Sequence, residues 1–354
     1  MILKELILTN FKNYTHRKVD FHEKYNIITG KNGSGKSNLL DAIYIASMTK
    51  NIRNINDNIL INDSNDFFRI EMQINENKLV IKYSMARKKE ITYNDNLYKT
   101  KEWLGQLPCI LISPDDVELI NDGVEIRRRW MDMQLSQIYP PYLSALICYQ
   151  EVLDQRNAYL KSLNQNIVSL NENIMDAWDM QLEKYGTIIY HYRYEFLNQL
   201  QITINEIYQG FSSGNEVVSL AYKTDMTLSH FKGALYGHRE KDIYTLKTNI
   251  GVHRDDILFK VNDYETKKVG SQGQIKSSVI ALKLSTMYWM TAKSNKHLWI
   301  LCDDIYDRLD MERLHKLILL LSKTQHQLFF TDTDTHRIVH LLQSMGTEFM
   351  HLEL

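Results

Sequence analysis

Three short segments of the sequence carry residues that could bind and hydrolyse a nucleotide. Gly30–Ser37 reads Gly-Lys-Asn-Gly-Ser-Gly-Lys-Ser and fits the pattern of a phosphate-binding loop. Its glycines allow consecutive backbone N–H groups to face phosphate oxygens at a helix N-terminus, where the helix dipole favours anions. We expect the Lys36 ammonium to reach the β- and γ-phosphates and the Ser37 hydroxyl to bind Mg²⁺.

A second segment places two carboxylates at the end of an apolar run. Leu298–Cys302 predicts a buried strand, and Asp303 and Asp304 follow it directly. We expect Asp303 to meet the Mg²⁺ held by Ser37, as the carboxylate of a Walker B strand does. On a strand, Asp304 would project to the opposite side and could polarise a water molecule. The alternative interpretation is a solvated acidic turn after a core strand.

The third segment, Ser271–Gln274, reads Ser-Gln-Gly-Gln and stands at the start of a predicted amphipathic helix. This signature segment would present a hydroxyl and N–H groups at the positive end of the helix, where a phosphate binds. Because Lys36 already serves the γ-phosphate within the chain, we expect the signature segment to act on ATP held by a partner subunit. The three segments, in this order, indicate an ATPase of the ABC type.

Size and composition restrict the remaining functions. The chain has 354 residues, 44% of them hydrophobic, and a formal net charge of −1 at pH 7, so a nucleic-acid surface must be a local patch. Three scattered cysteines fit reduced thiols, and no zinc-ligand spacing occurs. There is no signal-peptide pattern and no apolar run of about 18 residues. We therefore expect a soluble, cytoplasmic protein.

Three basic clusters are candidates for contact with a phosphate backbone, although most charge runs are solvated surface. They are Lys12 with Arg17 and Lys18, Arg87–Lys89, and Arg127–Arg129. The last cluster lies in a predicted helix, so we expect at least one of its arginines to pair with an acid such as Asp132. Arg87–Lys89, on a predicted hairpin, is the better candidate for DNA contact.

His253–Asp256 reads His-Arg-Asp-Asp and allows several interpretations. A kinase catalytic loop would need asparagine where Lys260 stands, and no further metal ligands have a recognisable spacing. We favour a structural role, in which buried ion pairs brace a strand junction. Contact with nucleotide or with a dimer interface remains the alternative.

The elements around these segments follow from the apolar periodicity. Near the N-terminus, alternation predicts strands, then Tyr25–Thr29 leads into the phosphate loop and a helix follows from Lys36 to Met48. Alternation at residues 68–74 and 79–83, and a turn at Asn94–Asn96, predict a β-rich stretch. Cys109–Ser113 predicts another short strand.

From about Asp116 to Leu235 the apolar period becomes helical. Apolar residues repeat at alternating intervals of four and three in two stretches, which are Tyr142, Leu146, Tyr149 and Leu153, and then Trp178, Leu182, Tyr185, Ile189, Tyr192 and Phe196. Polar Lys161–Glu172 between them predicts a loop. An antiparallel helical hairpin and a globular helical lobe would both bury these residues.

After about Lys247 strands and helices alternate, which predicts a mainly parallel sheet covered on both faces. The predicted strands are Thr248–Val252, Ile257–Val261, Leu298–Cys302 and Gln327–Thr331, and the predicted helices are Ser271–Ala292 and Met311–Leu321. The fold class is therefore α/β: an ABC-type ATPase head, with a mainly parallel sheet and a β-rich subdomain, and an inserted helical lobe. We predict the head from residues 1–115 and 245–354, and the lobe from residues 116–244.

The sequence resembles the RecF family of bacterial recombination-repair ATPases, which are related to SMC heads. Asn10–Tyr14, before the phosphate loop, carries the opening of this resemblance. The further matching stretches, in order, are Ser113–Asp116, Arg127–Asp132, Gln155–Asn157, Gly251–Asp256, Ser271–Gln274, Asp303–Asp304 and Thr331–Asp334. ABC ATPases usually have glutamate at the position of Asp304, whereas the RecF family has aspartate. The resemblance spans essentially the whole chain.

The resemblance implies a function and a set of partners. A RecF-like protein would bind ATP with Mg²⁺, form a homodimer on it, engage double-stranded DNA or single/double-strand junctions, and hydrolyse ATP slowly. It would work with RecR and RecO to assist loading of RecA. Two alternatives remain: an ATP-binding DNA clamp without significant turnover, and an ATPase subunit of an ABC transporter, for which no membrane segment is found here.

Combining motifs and resemblance, we predict these site residues. The catalytic residues are Lys36, Asp303 and Asp304, and the metal ligands are Ser37 and Asp303. The nucleotide-binding residues are Gly30, Lys31, Asn32, Gly33, Ser34, Gly35, Lys36, Ser37, Ser271, Gln272, Gly273, Gln274 and Asp310. Asp310 is carried over from the family's D-loop, which commonly reads Ser-Glu-Leu-Asp, whereas this chain has Asp307–Asp310 as Asp-Arg-Leu-Asp.

Overall fold

Segments from both ends of the chain, Met1–Asp116 and Met287–Leu354, assemble into a first unit, and Val117–Thr286 forms a second. The computed structural model describes residues 1–164, 168–212, 216–224, 231–304 and 311–354. The D-loop segment, including Asp310, therefore lies outside the described residues. The first predicted boundary, after residue 115, is one residue from the observed division. The second differs, because the return to the first unit begins at Met287 and not at residue 245.

The strands of the described chain lie in two groups, one that ends at Ile112 and one that begins at Val218. They are β1 (Leu3–Phe11), β2 (Tyr14–Asp20), β3 (Tyr25–Thr29), β4 (Phe67–Ile74), β5 (Asn77–Ser84), β6 (Arg87–Tyr93), β7 (Asn96–Tyr98), β8 (Cys109–Ile112), β9 (Val218–Lys223), β10 (Asp256–Val261), β11 (Tyr264–Glu265), β12 (Trp299–Cys302), β13 (Gln327–Asp332) and β14 (Met350–Glu353).

The α-helices lie mainly in the middle and C-terminal thirds. They are α1 (Lys36–Met48), α2 (Thr100–Trp103), α3 (Glu118–Asn121), α4 (Val124–Ile138), α5 (Pro140–Asn164), α6 (Glu172–Phe211), α7 (Phe231–Gly237), α8 (Arg239–Thr245), α9 (Thr266–Val269), α10 (Gln272–Ser294), α11 (Met311–Ser322) and α12 (Thr335–Ser344).

A five-stranded parallel sheet forms the centre of the first unit. Its strand order is β14-β3-β13-β12-β8, and every neighbouring pair is parallel. All residues of β3, β12 and β13 are buried, as expected where both faces of a parallel sheet are covered. The carboxyl ends of β3 and β12 lie at the same edge of the sheet, so the phosphate loop and Asp303 emerge there together. The predicted parallel sheet is confirmed for the strands at Leu298–Cys302 and Gln327–Thr331. β14 is an edge strand that the periodicity did not predict.

The second sheet of this unit is antiparallel, with the strand order β2-β1-β4-β5-β6-β7. Its inward face is apolar because alternate residues of β1 and β4, such as Leu6, Phe68 and Ile70, are fully buried. Asn94 and Asp95 both have positive φ, of 47° and 63°, which suits the tight turn between β6 and β7. This sheet is the predicted β-rich stretch.

The second unit contains an antiparallel helix pair, α5 and α6. Near one end Tyr142 contacts Tyr192, with ring centroids 5.8 Å apart, and near the other Tyr159 contacts Trp178 at 5.2 Å. The chain order of these contacts shows that the helices run in opposite directions, as a hairpin does. The ends of the helices differ from the predicted loop Lys161–Glu172, because α5 continues to Asn164 and α6 begins at Glu172.

The second unit also contains a small antiparallel sheet. The predicted strand Ile257–Val261 is confirmed as β10, but it lies in this sheet and not in the parallel one. The strand order of this sheet is β11-β10-β9, and β9 lies within the stretch predicted to be helical. The predicted strand at Thr248–Val252 is wrong, since Gly251 has a φ of 133° and Val252–Arg254 forms a 3₁₀ turn. Because β10 pairs with β9 along its whole length, residues after 245 stay with the second unit. This pairing is the reason why the second unit extends beyond residue 245.

Candidate functional site

The backbone of the phosphate loop has a conformation that requires glycine at two closely approached positions. Gly30 has a φ of 152°, and a Cβ there would lie 2.5 Å from the backbone oxygen of Leu354. Gly35 has a φ of 110°, and a Cβ there would lie 2.5 Å from the Tyr14 hydroxyl. The residues between β1 and β2 and at the start of β2, such as Tyr14, therefore pack closely against the phosphate loop. The Tyr14 hydroxyl donates to the Gly35 carbonyl oxygen at 3.2 Å.

Lys36 begins α1, directly after the loop, and folds back over it. Its Nζ donates to the carbonyl oxygens of Gly30 at 2.8 Å and Lys31 at 3.1 Å, and the residue is only 4% exposed. An ammonium has three N–H donors, and these two contacts use two of them. The ammonium is thus fixed at the loop that the motif assigns to the β- and γ-phosphates.

Ser37 and Asp303 meet at the shared edge of the parallel sheet. Ser37 Oγ donates to Asp303 Oδ1 at 3.0 Å, and the backbone N–H of Asp303 donates to the carbonyl oxygen of Ile112 at 2.9 Å. A hydroxyl and a carboxylate oxygen side by side are the protein ligands that a nucleotide-bound Mg²⁺ takes. No cluster of three or more His, Cys, Asp or Glu side chains that could hold a metal ion occurs among the described residues.

Thr331 is a site residue to which the sequence analysis assigned no role. Its Oγ1 donates to Asp303 Oδ1 at 2.6 Å and accepts the backbone N–H of Asp304 at 2.9 Å. It is fully buried on β13, the strand between β3 and β12. The available signal was a polar pair, Thr331 and Asp332, after an apolar strand, which is the same pattern that singled out Asp303.

Two further carboxylates lie near this edge. Asp304 has a φ of 38°, and β12 already ends at Cys302, so the expectation that strand alternation orients Asp304 is wrong. Asp332 pairs in register with Thr29, the residue before the loop, and its Oδ2 is buried without a hydrogen-bond partner. Burial raises the pKa of the Asp332 carboxyl above its usual value.

In the second unit, the signature segment forms a capped helix start. Ser271 immediately precedes α10, and its Oγ accepts the backbone N–H of Gln274 at 3.2 Å. In return, Gln274 Oε1 accepts the backbone N–H of Ser271 at 2.7 Å, which makes a capping box. Ser271 and Gln272 are exposed. The segment thus presents a hydroxyl and helix N-terminal amides at the surface of its unit.

His253–Asp256 braces the second unit, the role we favoured for it. Asp256 forms a two-point ion pair with Arg127, at 2.6 and 3.2 Å, and Asp255 pairs with the buried Arg193 at 3.0 Å. The prediction that at least one arginine of Arg127–Arg129 pairs with an acid is confirmed, because Arg127 pairs with Asp256. Asp132, the acid given as an example, pairs with Arg193.

His253 is a partly buried residue whose two ring nitrogens are both hydrogen-bonded. Its ring nitrogens contact the Tyr149 hydroxyl at 2.8 Å and the Thr248 carbonyl oxygen at 3.0 Å. Burial lowers the pKa of His253 to about 4. A charged imidazole would therefore be costly at this position, which fits a structural role.

The three basic residues at the start of β6 differ in their surroundings. Lys89 pairs with Asp57 at 2.9 Å and donates to the Thr49 carbonyl oxygen at 2.6 Å. Arg87 and Lys88 are exposed. Of the predicted cluster Arg87–Lys89, these two residues are the ones available to a phosphate backbone.

Comparison with known proteins places this site in context. The family profile RecF/RecN/SMC N terminal domain matches residues 2–350. The DNA replication and repair protein RecF of Azobacteroides pseudotrichonymphae is 34% identical over 351 residues, which cover 98% of this chain and 95% of that protein. The protein of the same name from Cytophaga hutchinsonii is 36% identical, with 99% of this chain and 94% of that protein covered.

Solved structures resemble the chain as well. The structure described as the recombination mediator protein RecF-ATP in the RecFOR pathway matches with a TM-score of 0.87 and 28% identity, over 94% of this chain and 92% of that one. An Smc head bound to the C-winged helix domain of ScpA matches with a TM-score of 0.57 and 14% identity, which supports the fold alone. Within the described part of the chain, no helix is both long and apolar enough to cross a membrane.

Proposed function

Because the chain belongs to the RecF family of DNA replication and repair proteins, we propose that it is an ATP-dependent DNA-binding protein of recombinational repair and replication-gap processing. ATP with Mg²⁺ joins two copies of the chain into a homodimer, which binds double-stranded DNA or a gap junction in the cytoplasm. Slow, DNA-stimulated hydrolysis then releases the DNA.

The observation that carries this proposal is the contact between Ser37 and Asp303, 3.0 Å apart, beside the buried Lys36. Ser37 and Asp303 would hold the Mg²⁺ and Lys36 would contact the β- and γ-phosphates. Bound Mg²⁺ would neutralise the charge that develops on the phosphates. We assign to Asp304, beside Asp303, the orientation of the attacking water.

The signature segment has a different role in the proposal. Ser271 donates its hydroxyl to the γ-phosphate of ATP bound by the other copy, at the helix N-terminus of α10, which favours anions. Asp310, of the D-loop, contributes to the same interface by resemblance to the family. Each ATP would then be enclosed by two chains, so dimerisation depends on the nucleotide.

DNA and the partner proteins are the remaining elements. Arg87 and Lys88 are exposed and offer phosphate contacts, which supply most of the salt-dependent affinity for DNA. The likeness to a RecF structure described for the RecFOR pathway supports RecR and RecO as partners. Assistance in RecA loading is proposed from the family resemblance alone.

Sedimentation with ATP and Mg²⁺ tests the proposed dimer. Wild type should shift from monomer to dimer, whereas Ser271→Arg should stay monomeric while the monomer still binds ATP, because the arginine fills the space of the phosphate. Ser144→Arg places the same side chain on an exposed position of α5 and should dimerise normally. A normal ATP-dependent dimer of Ser271→Arg would contradict the assignment of the signature segment.

Phosphate release tests turnover separately. Release should be slow, should rise with gapped duplex DNA, and should vanish in Asp303→Asn. A wild-type protein that binds ATP and DNA but releases no phosphate would favour the clamp without turnover over the ATPase.

A further inference from the structure

The side chain of Gln274 is held from both sides, although the capping box needs only one of its polar atoms. Its Oε1 accepts the N–H of Ser271 at 2.7 Å, and its Nε2 donates to Glu216 Oε1, also at 2.7 Å. The amide could not exchange its oxygen and nitrogen without losing both hydrogen bonds. Its orientation is therefore determined by Glu216 together with Ser271.

Glu216 is in turn tied to the long helix α6. Its second oxygen, Oε2, accepts the Tyr208 hydroxyl at 2.6 Å and lies 3.5 Å from the Ser212 hydroxyl. Tyr208 is fully buried near the C-terminal end of α6. The hydrogen bonds from Tyr208 and Gln274 lower the pKa of the Glu216 carboxyl below its usual value. We call Tyr208, Glu216 and Gln274 the Glu216 link.

The Glu216 link has a consequence for Ser271. Ser271 Oγ accepts the N–H of Gln274 at 3.2 Å, and a hydroxyl that accepts on one side directs its own proton elsewhere. Ser271 is exposed, so the proton is available to an acceptor outside the helix.

We propose that Glu216 is a positioning residue: by fixing the Gln274 amide it holds the capping box in the geometry that directs the Ser271 hydroxyl at the γ-phosphate of ATP bound by a second copy of the chain. The inference rests on the proposed role of the signature segment between two copies. It adds that the ATP-dependent dimer depends on a carboxylate outside every nucleotide motif, and through Tyr208 on the end of α6.

An exchange of the two polar groups separates this role from the helix cap. Gln274→Glu keeps the capping box, because glutamate accepts the same N–H, but it sets one carboxylate against another. Adding Glu216→Gln restores a donor and an acceptor with their roles reversed. Gln272→Glu is the matched control, because it adds the same charge to the first turn of α10 at an exposed position.

Sedimentation across a protein concentration series, with ATP and Mg²⁺, is the measurement. Gln274→Glu should raise the dimer dissociation constant about tenfold or more, as the loss of a charge-assisted hydrogen bond does. The double variant Glu216→Gln/Gln274→Glu should recover most of that loss. Glu216→Gln should not rescue Gln272→Glu. Binding of ATP to the monomer and the melting temperature should stay near the wild-type values in the double variant.

The outcomes distinguish the inference from the proposed function. A wild-type protein that fails to dimerise with ATP contradicts both. Two outcomes overturn the positioning role while the proposed function stands. One is a Gln274→Glu dimer that is as strong as the wild-type dimer. The other is equal rescue of Gln274→Glu and Gln272→Glu by Glu216→Gln. If Gln274→Glu does not fold, Tyr208→Phe removes only the hydroxyl donated to Glu216 and should weaken the dimer about two- to threefold. An unchanged dimer of Tyr208→Phe would then reject the Glu216 link.

Discussion

The phosphate loop and the signature segment, each in its own unit, are positioned in different ways. Lys36 bonds carbonyl oxygens five and six residues before it, and Ser37 meets Asp303 at the edge of one parallel sheet. By contrast, Gln274 is oriented by Glu216, which lies 58 residues away in sequence. The first arrangement depends mainly on the backbone of a sheet, and the second depends on polar side chains brought together from distant elements.

The second unit also depends on polar side chains from distant elements at other positions, where they form buried ion pairs. Arg156 is fully buried and bonds Asp179 at 3.0 Å and Asp242 at 2.8 Å. Arg193 is likewise buried and pairs with Asp132 and Asp255. Burial opposes the charge on Arg193, but these carboxylates and two tyrosines hold its pKa well above the usual value. A buried ion pair is stable only while every partner is present, so this unit should be the more sensitive to single polar substitutions.

The largest effect is expected where one such partner is removed. Arg193→Met should lower the free energy of unfolding by about 3–5 kcal/mol, because Asp255 would remain buried without its cation. Chemical denaturation measures this loss. Lys12→Met is the matched variant of the first unit, and it should cost clearly less, because the Lys12 side chain that pairs with Asp41 is 24% exposed whereas that of Arg193 is 2% exposed. Equal losses of unfolding free energy in the two variants would contradict the greater sensitivity expected for the second unit.

The next effect concerns chemistry and not stability. Lys36→Ala should reduce ATP hydrolysis at least about a hundredfold, because in the proposed site the ammonium would stabilise the charge that develops on the γ-phosphate. Steady-state phosphate release measures it. Lys50→Ala, at an exposed lysine beyond α1, should leave the rate unchanged. Near-normal hydrolysis by Lys36→Ala would contradict the assignment of the phosphate loop.

The two adjacent acids should separate binding from release. Asp303 Oδ1 contacts Ser37 and Thr331, and the Asp303 carboxylate is the proposed ligand of Mg²⁺. Asp303→Asn should weaken Mg²⁺-dependent ATP binding about tenfold or more, because it removes the negative charge of that ligand. Asp304→Asn should retain ATP and DNA binding and slow the release of DNA. Nucleotide titration with and without Mg²⁺, followed by DNA dissociation rates, tests this. Equal loss of nucleotide binding in both variants would refute the division of roles.

A smaller, pH-dependent effect should arise from His253. Its folded pKa of about 4 lies below the ordinary value of 6.5, so the fold favours the neutral ring. The stability it contributes is complete above pH 6.5 and is lost as the pH falls toward 4, at about 1.4 kcal/mol per unit. Denaturation at pH 7.5 and 5.0 should show a smaller difference in His253→Gln than in wild type. The exposed His16→Gln should behave as wild type.

The sequence was sufficient for local elements and for motifs whose residues lie close together. The helix Lys36–Met48 and the strands before Asp303 and before the phosphate loop were predicted because apolar periodicity and turn residues are local signals. The same patterns placed β9 within a stretch predicted to be helical. This prediction failed because the pairing of β9 with β10 is a tertiary contact that overrides local preference.

Alone, the sequence determined which motifs the chain carries: a phosphate loop, two acids after a strand and a signature segment, each recognisable from residue types and spacing. Tertiary structure decided which other residues serve them. Thr331 reaches Asp303 because β13 lies between β3 and β12, and Glu216 reaches Gln274 because the chain after α6 meets the start of α10. Such partners have no spacing signal, since hydrogen bonds between distant segments depend on how the elements pack and not on their separation along the chain.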